Sequence, residues 1–85
     1  MKYACPCCGN YTYSQPIGGT YDICPVCFWE DDGFQLNHPD YGGGANTPSL
    51  NQARVNYKKF GACEERVLEY VRKPKKNELP QNNNK

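Results

Sequence analysis

Short apolar segments separated by turn residues run through the first third of the chain. Tyr11-Thr12-Tyr13 alternates aromatic and polar side chains of β-favouring type, which predicts a strand. Gln15-Pro16-Ile17-Gly18-Gly19 is a turn cluster, and Thr20-Tyr21-Asp22-Ile23 reads as the return strand of a hairpin. Proline and three consecutive glycines make Asn37 to Asn46 a loop. The period then changes: Leu50, Ala53, Tyr57 and Phe60 form one helical stripe. Thr47 is a candidate N-cap with Pro48 in the first turn, Ser49 and Gln52 match a capping box, and Gly61 suits the C-terminal cap. A second short helix is predicted from near Cys63 to Pro74, with Val67, Leu68 and Val71 as its inner face.

Length bounds this to one domain. Residues 1–74 are the foldable unit, and residues 75–85, rich in asparagine and lysine, read as a flexible polar tail. With 38% apolar residues, a core of this size supplies only about 3–5 kcal/mol. A further constraint is expected, and the cysteines offer it. Cys5, Cys8, Cys24 and Cys27 stand as C-x2-C-x15-C-x2-C, the spacing of a four-thiolate zinc site. Each pair sits on a tight turn, stiffened by Pro6 or Pro25, and Gly9 allows close backbone approach after the first. The matching position after the second pair is Phe28, so the second turn is expected to differ in shape. Four thiolates close the tetrahedron and leave no open position for catalysis. One Zn2+ per chain is the expected cofactor; iron in a rubredoxin-like site is the alternative.

Two cysteines remain. Cys7 lies between the first pair and leaves open a register in which it replaces Cys5 or Cys8. Cys63 is either a small buried hydrophobe or a thiolate activated at a helix start, which Glu64 and Glu65 would oppose. Disulfides are the rival use of six cysteines. No apolar signal segment precedes Cys5, which points to a reducing, cytoplasmic setting and hence to metal. No apolar run approaches the ~20 residues that span a bilayer.

Charge is uneven. Residues 1–45 hold one lysine against five carboxylates, whereas residues 72–85 hold five basic residues against one glutamate. Trp29, Glu30, Asp31, Asp32, His38 and Asp40 gather beside or just after the second cysteine pair, and are the candidate contact surface for a basic protein partner. A hydrolase using His38 and these carboxylates is a second reading, although no H-E-x-x-H, G-x-S-x-G or phosphate-binding loop is present. The seven tyrosines suit stacking on single-stranded nucleic acid. The negative N-terminal half argues against that third reading.

Cys5-Pro6-Cys7-Cys8-Gly9 and Tyr21-Asp22-Ile23-Cys24-Pro25-Val26-Cys27-Phe28-Trp29-Glu30-Asp31-Asp32 resemble the cysteine-rich CPCC family, and Ser49–Arg54, Phe60–Cys63 and Val71–Pro74 are similar to its second half. The resemblance implies a bacterial, cytoplasmic metal-binding module that forms one unit up to Pro74. Some family members carry a hydrolase label, which no residue pattern here supports. The expected fold is a small metal-stapled α+β domain, a zinc ribbon packed on one or two C-terminal helices. Its expected role is protein–protein interaction.

Overall fold

The computed structural model describes residues 2–83; Met1 and the last two residues of the expected tail lie outside them. Strand β1 (Tyr3–Ala4) runs into the first cysteine turn and β2 (Tyr11–Tyr13) leaves it. The two pair antiparallel, Tyr3 opposite Tyr13 and Ala4 opposite Tyr11, with an irregularity between Tyr3 and Ala4. The strand at Tyr11–Tyr13 is therefore where the alternation put it, but its partner is not Thr20–Ile23.

That segment instead folds back on the residues just past the second cysteine turn. Tyr21 N–H donates to Asp31 O, Asp31 N–H to Asp22 O and Cys24 N–H to Trp29 O, each at 2.9 Å, and Ile23 bridges Glu30. The expected hairpin across residues 14–19 is replaced by two smaller hairpins, each closed by its own cysteine turn. A short turn costs less loop-closure entropy than a longer one, so each turn captures the chain that flanks it.

A helix absent from the sequence expectation follows: α1 (Gly33–Asn37), capped by Asp32, whose Oδ1 accepts from Phe34 N–H at 2.8 Å and Gln35 N–H at 3.2 Å. Helix α2 spans Leu50–Phe60. Its N-cap is Ser49, whose Oγ accepts from Gln52 N–H at 3.1 Å, so Thr47 and Pro48 precede the helix. Gly61 closes it in the left-handed conformation at φ 91°, a geometry open to glycine without steric cost. The second predicted helix forms as a 3₁₀ helix, Glu65–Tyr70, with Val67 buried and Leu68 turned to solvent. At three residues per turn, Val67 and Leu68 cannot share the inner face.

The core joins both halves: Tyr13, Val26 and Trp29 pack with Leu50, Ala53, Ala62 and Val67 around the cysteines, and Phe28, Tyr57 and Phe60 border it. Beyond Pro74 the chain makes 3₁₀ turns at Lys76–Glu78 and Pro80–Asn82. Glu78 is buried and holds Arg72 in a two-pronged ion pair, both contacts at 2.9 Å.

Candidate metal centre

The two cysteine turns repeat one backbone design, displaced by the 19 residues that separate Cys5 from Cys24. In the first, Cys5 N–H donates to Asn10 O and Gly9 N–H to Cys5 O, both at 2.8 Å. In the second, Cys24 N–H donates to Trp29 O at 2.9 Å and Phe28 N–H to Cys24 O at 2.8 Å. The strand pairs Ala4–Tyr11 and Ile23–Glu30 are equivalent as well. Phe28 reaches the shape of Gly9 by adopting φ 72°, against 81° for the glycine, so the expected difference in shape is absent.

The turns face each other and bring Cys5, Cys8, Cys24 and Cys27 together, all four Sγ atoms within 4.8 Å of one another. Cys5 Sγ lies 3.6 Å from Cys27 Sγ, and Cys8 Sγ lies 3.8 Å from Cys24 Sγ. A tetrahedral ion with metal–sulfur bonds of about 2.3 Å sets its sulfurs about 3.8 Å apart. The residues present therefore fit a four-thiolate metal ion. Cys7 is not in the cluster. It occupies the position of Val26 in the other turn, is buried, and donates its N–H to Cys5 Sγ at 3.4 Å. Thr12 Oγ1 donates to Cys24 Sγ at 3.1 Å, so a residue of the first hairpin supports a cysteine of the second.

Electrostatics point the same way. Burial pushes the Cys5 thiol far above its ordinary value, and hydrogen bonding to Cys24 does the same for Cys27. Cys24 is pulled down by donation from Cys27, Cys5 and Cys8, with Thr12 adding to it. Buried thiols this close cannot all ionise unaided: Cys24 and Cys8 are lowered while Cys5 and Cys27 keep their protons, a conflict that a central cation would remove. Cys63 lies apart from this set. It is buried, its thiol is pushed up to about 12 chiefly by that burial, and its N–H donates to Cys27 O at 2.8 Å. It is a packing residue and not a reactive thiolate.

The profile of the family described as Cysteine-rich CPCC matches residues 3–78. The chain belongs to the cysteine-rich CPCC family. No curated protein matches it. The matched span of this CPCC protein takes in both cysteine turns, both α-helices and the turn that ends at Glu78.

Of the residues expected to form a contact surface, half point inward. Trp29 is 0% exposed and belongs to the core. Asp31 is buried, and its Oδ2 accepts from the N–H groups of Gly18 (2.9 Å), Gly19 (3.0 Å) and Thr20 (2.9 Å) and from Thr20 Oγ1 (3.0 Å). Burial raises its pKa, but these donors outweigh it and hold the carboxyl below the usual range. Asp32 caps α1 and also accepts from Ala45 N–H at 2.9 Å, the main cause of its lowered pKa. Both carboxylates hold loops in place and neither is free for a partner or for acid–base chemistry with His38. Polar residues cannot be read as inward-facing without their donors in view; the only sequence signal was glycine at 18 and 19, where backbone N–H groups stand clear.

Glu30, His38 and Asp40 lie nearer the surface. Glu30 is partly buried, its backbone N–H and O both bound by the Asn46 amide. His38 stacks on Phe34 at 4.1 Å, and Tyr41 meets Phe34 edge-on at 4.8 Å and 80°. Asp40 Oδ1 accepts from Asn51 at 2.8 Å. Beneath this edge, Gln35 and Asn46 are buried and bonded to each other, Asn46 Nδ2 donating to Gln35 Oε1 at 2.9 Å. Gln35 Nε2 reaches the carbonyls of Tyr41 (3.0 Å), Asn46 (3.1 Å) and Pro48 (3.1 Å). This network was not among the expected site residues. It ties α1, which carries Phe34, to the loop that carries Tyr41.

Proposed function

We propose that this CPCC protein is a zinc-stapled module that works by binding another protein. The observation that carries the reading is the tetrahedron of four sulfurs, closed by Cys5, Cys8, Cys24 and Cys27. Such a site has every position filled by protein, so its ion holds the fold and leaves recognition to the surface. Zinc is favoured over iron because closed four-cysteine sites on paired turns are typical of structural zinc. A reducing compartment such as the cytoplasm suits six free thiols. No helix among the described residues is long and apolar enough to cross a membrane.

The recognition surface is the aromatic edge at residues 34–41. Phe34 is 53% and Tyr41 48% exposed, yet α1, which carries Phe34, and the loop that carries Tyr41 are tied together by buried polar contacts. Rigid aromatics lose little freedom on binding and make good contact anchors. Asp40 and the negative balance of residues 1–45 favour a basic partner.

Native mass spectrometry of the gently purified protein tests the metal: one zinc added and four thiol protons missing is the expected mass. One iron, with visible colour, would overturn zinc and redirect the reading to electron transfer. For the surface, Phe34→Ala/Tyr41→Ala should lose a partner that wild type recovers from its host. Equal recovery would refute the aromatic edge and leave the metal reading standing. Replacing Asp31 or Asp32 does not test the surface, because both are buried.

A further inference from the structure

A second surface lies elsewhere and has the opposite character. Between the last turns of α2 and the segment that follows the 3₁₀ helix runs a groove of about 530 Å³. Phe60, Leu68, Val71 and Pro74 give it an apolar lining, joined by exposed Lys58 from α2 and by Arg72 and exposed Lys73 from the later segment. No carboxylate lines it. Neither lysine is in a salt bridge among the described residues. The wall is held from behind: the Arg72 guanidinium is engaged by Glu78 at 2.9 Å, and Arg72 N–H donates to Pro25 O at 3.3 Å. Leu68 is 41% exposed at this groove, an apolar side chain that the 3₁₀ geometry turns away from the core.

We propose that this groove binds an acidic peptide segment: one bulky apolar residue in the groove, with carboxylates on both sides meeting Lys58 and Lys73. Charge complementarity selects that occupant. Lys58 and Lys73 have no ion-pair partner among the described residues and no carboxylate lines the groove, so an apolar anchor with acidic flanks gains from both, whereas a basic segment is repelled. The volume falls within the range of pockets that enclose a compact ligand or a few side chains. The groove does not depend on the aromatic edge, which prefers cationic chemistry, and the two surfaces can be occupied independently.

The test uses the metal-loaded protein, 15N-labelled, titrated with the capped peptide Asp-Glu-Trp-Leu-Glu-Asp. Amide shifts confined to Tyr57–Gly61 and Leu68–Lys73 are expected, saturating with a Kd of about 0.1–1 mM for so short a probe and weakening as salt rises. Leu68→Glu and Lys73→Glu should each weaken binding about tenfold, roughly 1.4 kcal/mol. Both side chains are exposed, so a dispersed spectrum is expected of each, and Lys73→Glu alone suffices should Leu68→Glu unfold. Four outcomes would overturn the proposal: no shifts at the highest peptide concentration; equal binding of Lys-Lys-Trp-Leu-Lys-Lys; the same shifts with a thymidine hexanucleotide, which would make the groove a nucleic-acid site; and groove shifts that grow with protein concentration alone, which would make the occupant a second copy of the chain.

Discussion

Gly9 and Phe28 hold the same place in the two cysteine turns, one a glycine at φ 81° and the other a phenylalanine at φ 72°. A left-handed residue there lets the chain reverse while two thiolates stay on one side. For a residue with a side chain that conformation costs about 1–2 kcal/mol. Phe28 stacks on Tyr70 at 5.5 Å, a contact of about 0.5–1.5 kcal/mol that offsets the strain. The turns are also held differently from outside. Arg54 Nε donates to Pro6 O at 2.9 Å in the first, while Arg72 N–H reaches the equivalent Pro25 O at 3.3 Å in the second. The position after each outgoing strand start diverges most: Thr12 supports a sulfur, and its counterpart Asp31 gathers a loop. The two turns thus share one backbone design, while each copy recruits its own buttress.

The largest effect should come from breaking what the turns share. Cys24→Ser, or removal of the metal by a strong chelator, forfeits about 10 kcal/mol of apparent stabilisation, more than the core supplies. Both hairpins should go together, seen as loss of a cooperative thermal transition in circular dichroism; a retained transition would mean that the core folds unaided.

Next comes the buttress that only the second turn has. Asp31→Asn replaces a charged acceptor of several N–H groups and should cost about 1.5–3 kcal/mol in denaturant unfolding. The Asp31 pKa is depressed on folding. Its stabilisation is therefore complete above the unfolded value of about 3.9 and drains away as pH falls through the folded one. The gap between wild type and Asp31→Asn should be constant from pH 7 to about 5 and narrow below about 4. A gap that widens in acid would reverse this assignment.

Smaller effects test the equivalence itself. Gly9→Ala meets no atom within 4 Å of the added Cβ, so it should cost only the backbone term of about 1 kcal/mol. Phe28→Gly relieves that term and loses the stack, for a net change within about 1 kcal/mol. If Gly9→Ala proves neutral while Phe28→Gly is severe, the two positions are not equivalent. Smallest of all should be Cys7→Val, which copies Val26: metal stoichiometry unchanged by mass and stability within about 1 kcal/mol. Loss of the metal would place Cys7 among the ligands.

The gathering of Cys5, Cys8, Cys24 and Cys27 was legible because two C-x2-C turns at this spacing can bring four thiols together. The stripe of α2 and its Gly61 cap were legible as well, since period and cap are local. Pairing was not: Tyr11–Tyr13 and Thr20–Ile23 are both good strands, and nothing in β propensity says which neighbour each takes. Helix α1 was hidden because the five residues Gly33–Asn37 look like a turn, and its cap is visible only once Asp32 Oδ1 meets Phe34 N–H. Thr47 and Ser49 are both able caps on either side of Pro48, and sequence alone does not choose. The inward carboxylates were the deepest miss. Polarity reads as surface unless backbone donors are known to converge, as they do from Gly18, Gly19 and Thr20.

Three of the four clustered cysteines, Cys5, Cys24 and Cys27, are at most 1% exposed, while Cys8 is only partly covered. A competing ligand would reach an ion held there most readily at Cys8, the partly exposed member of the four. That cysteine belongs to the turn whose Pro6 carbonyl is gripped by Arg54. An ion held by these four sulfurs would therefore be guarded unevenly, sealed by the core on three sides and on the fourth only by a turn that Arg54 braces from the surface.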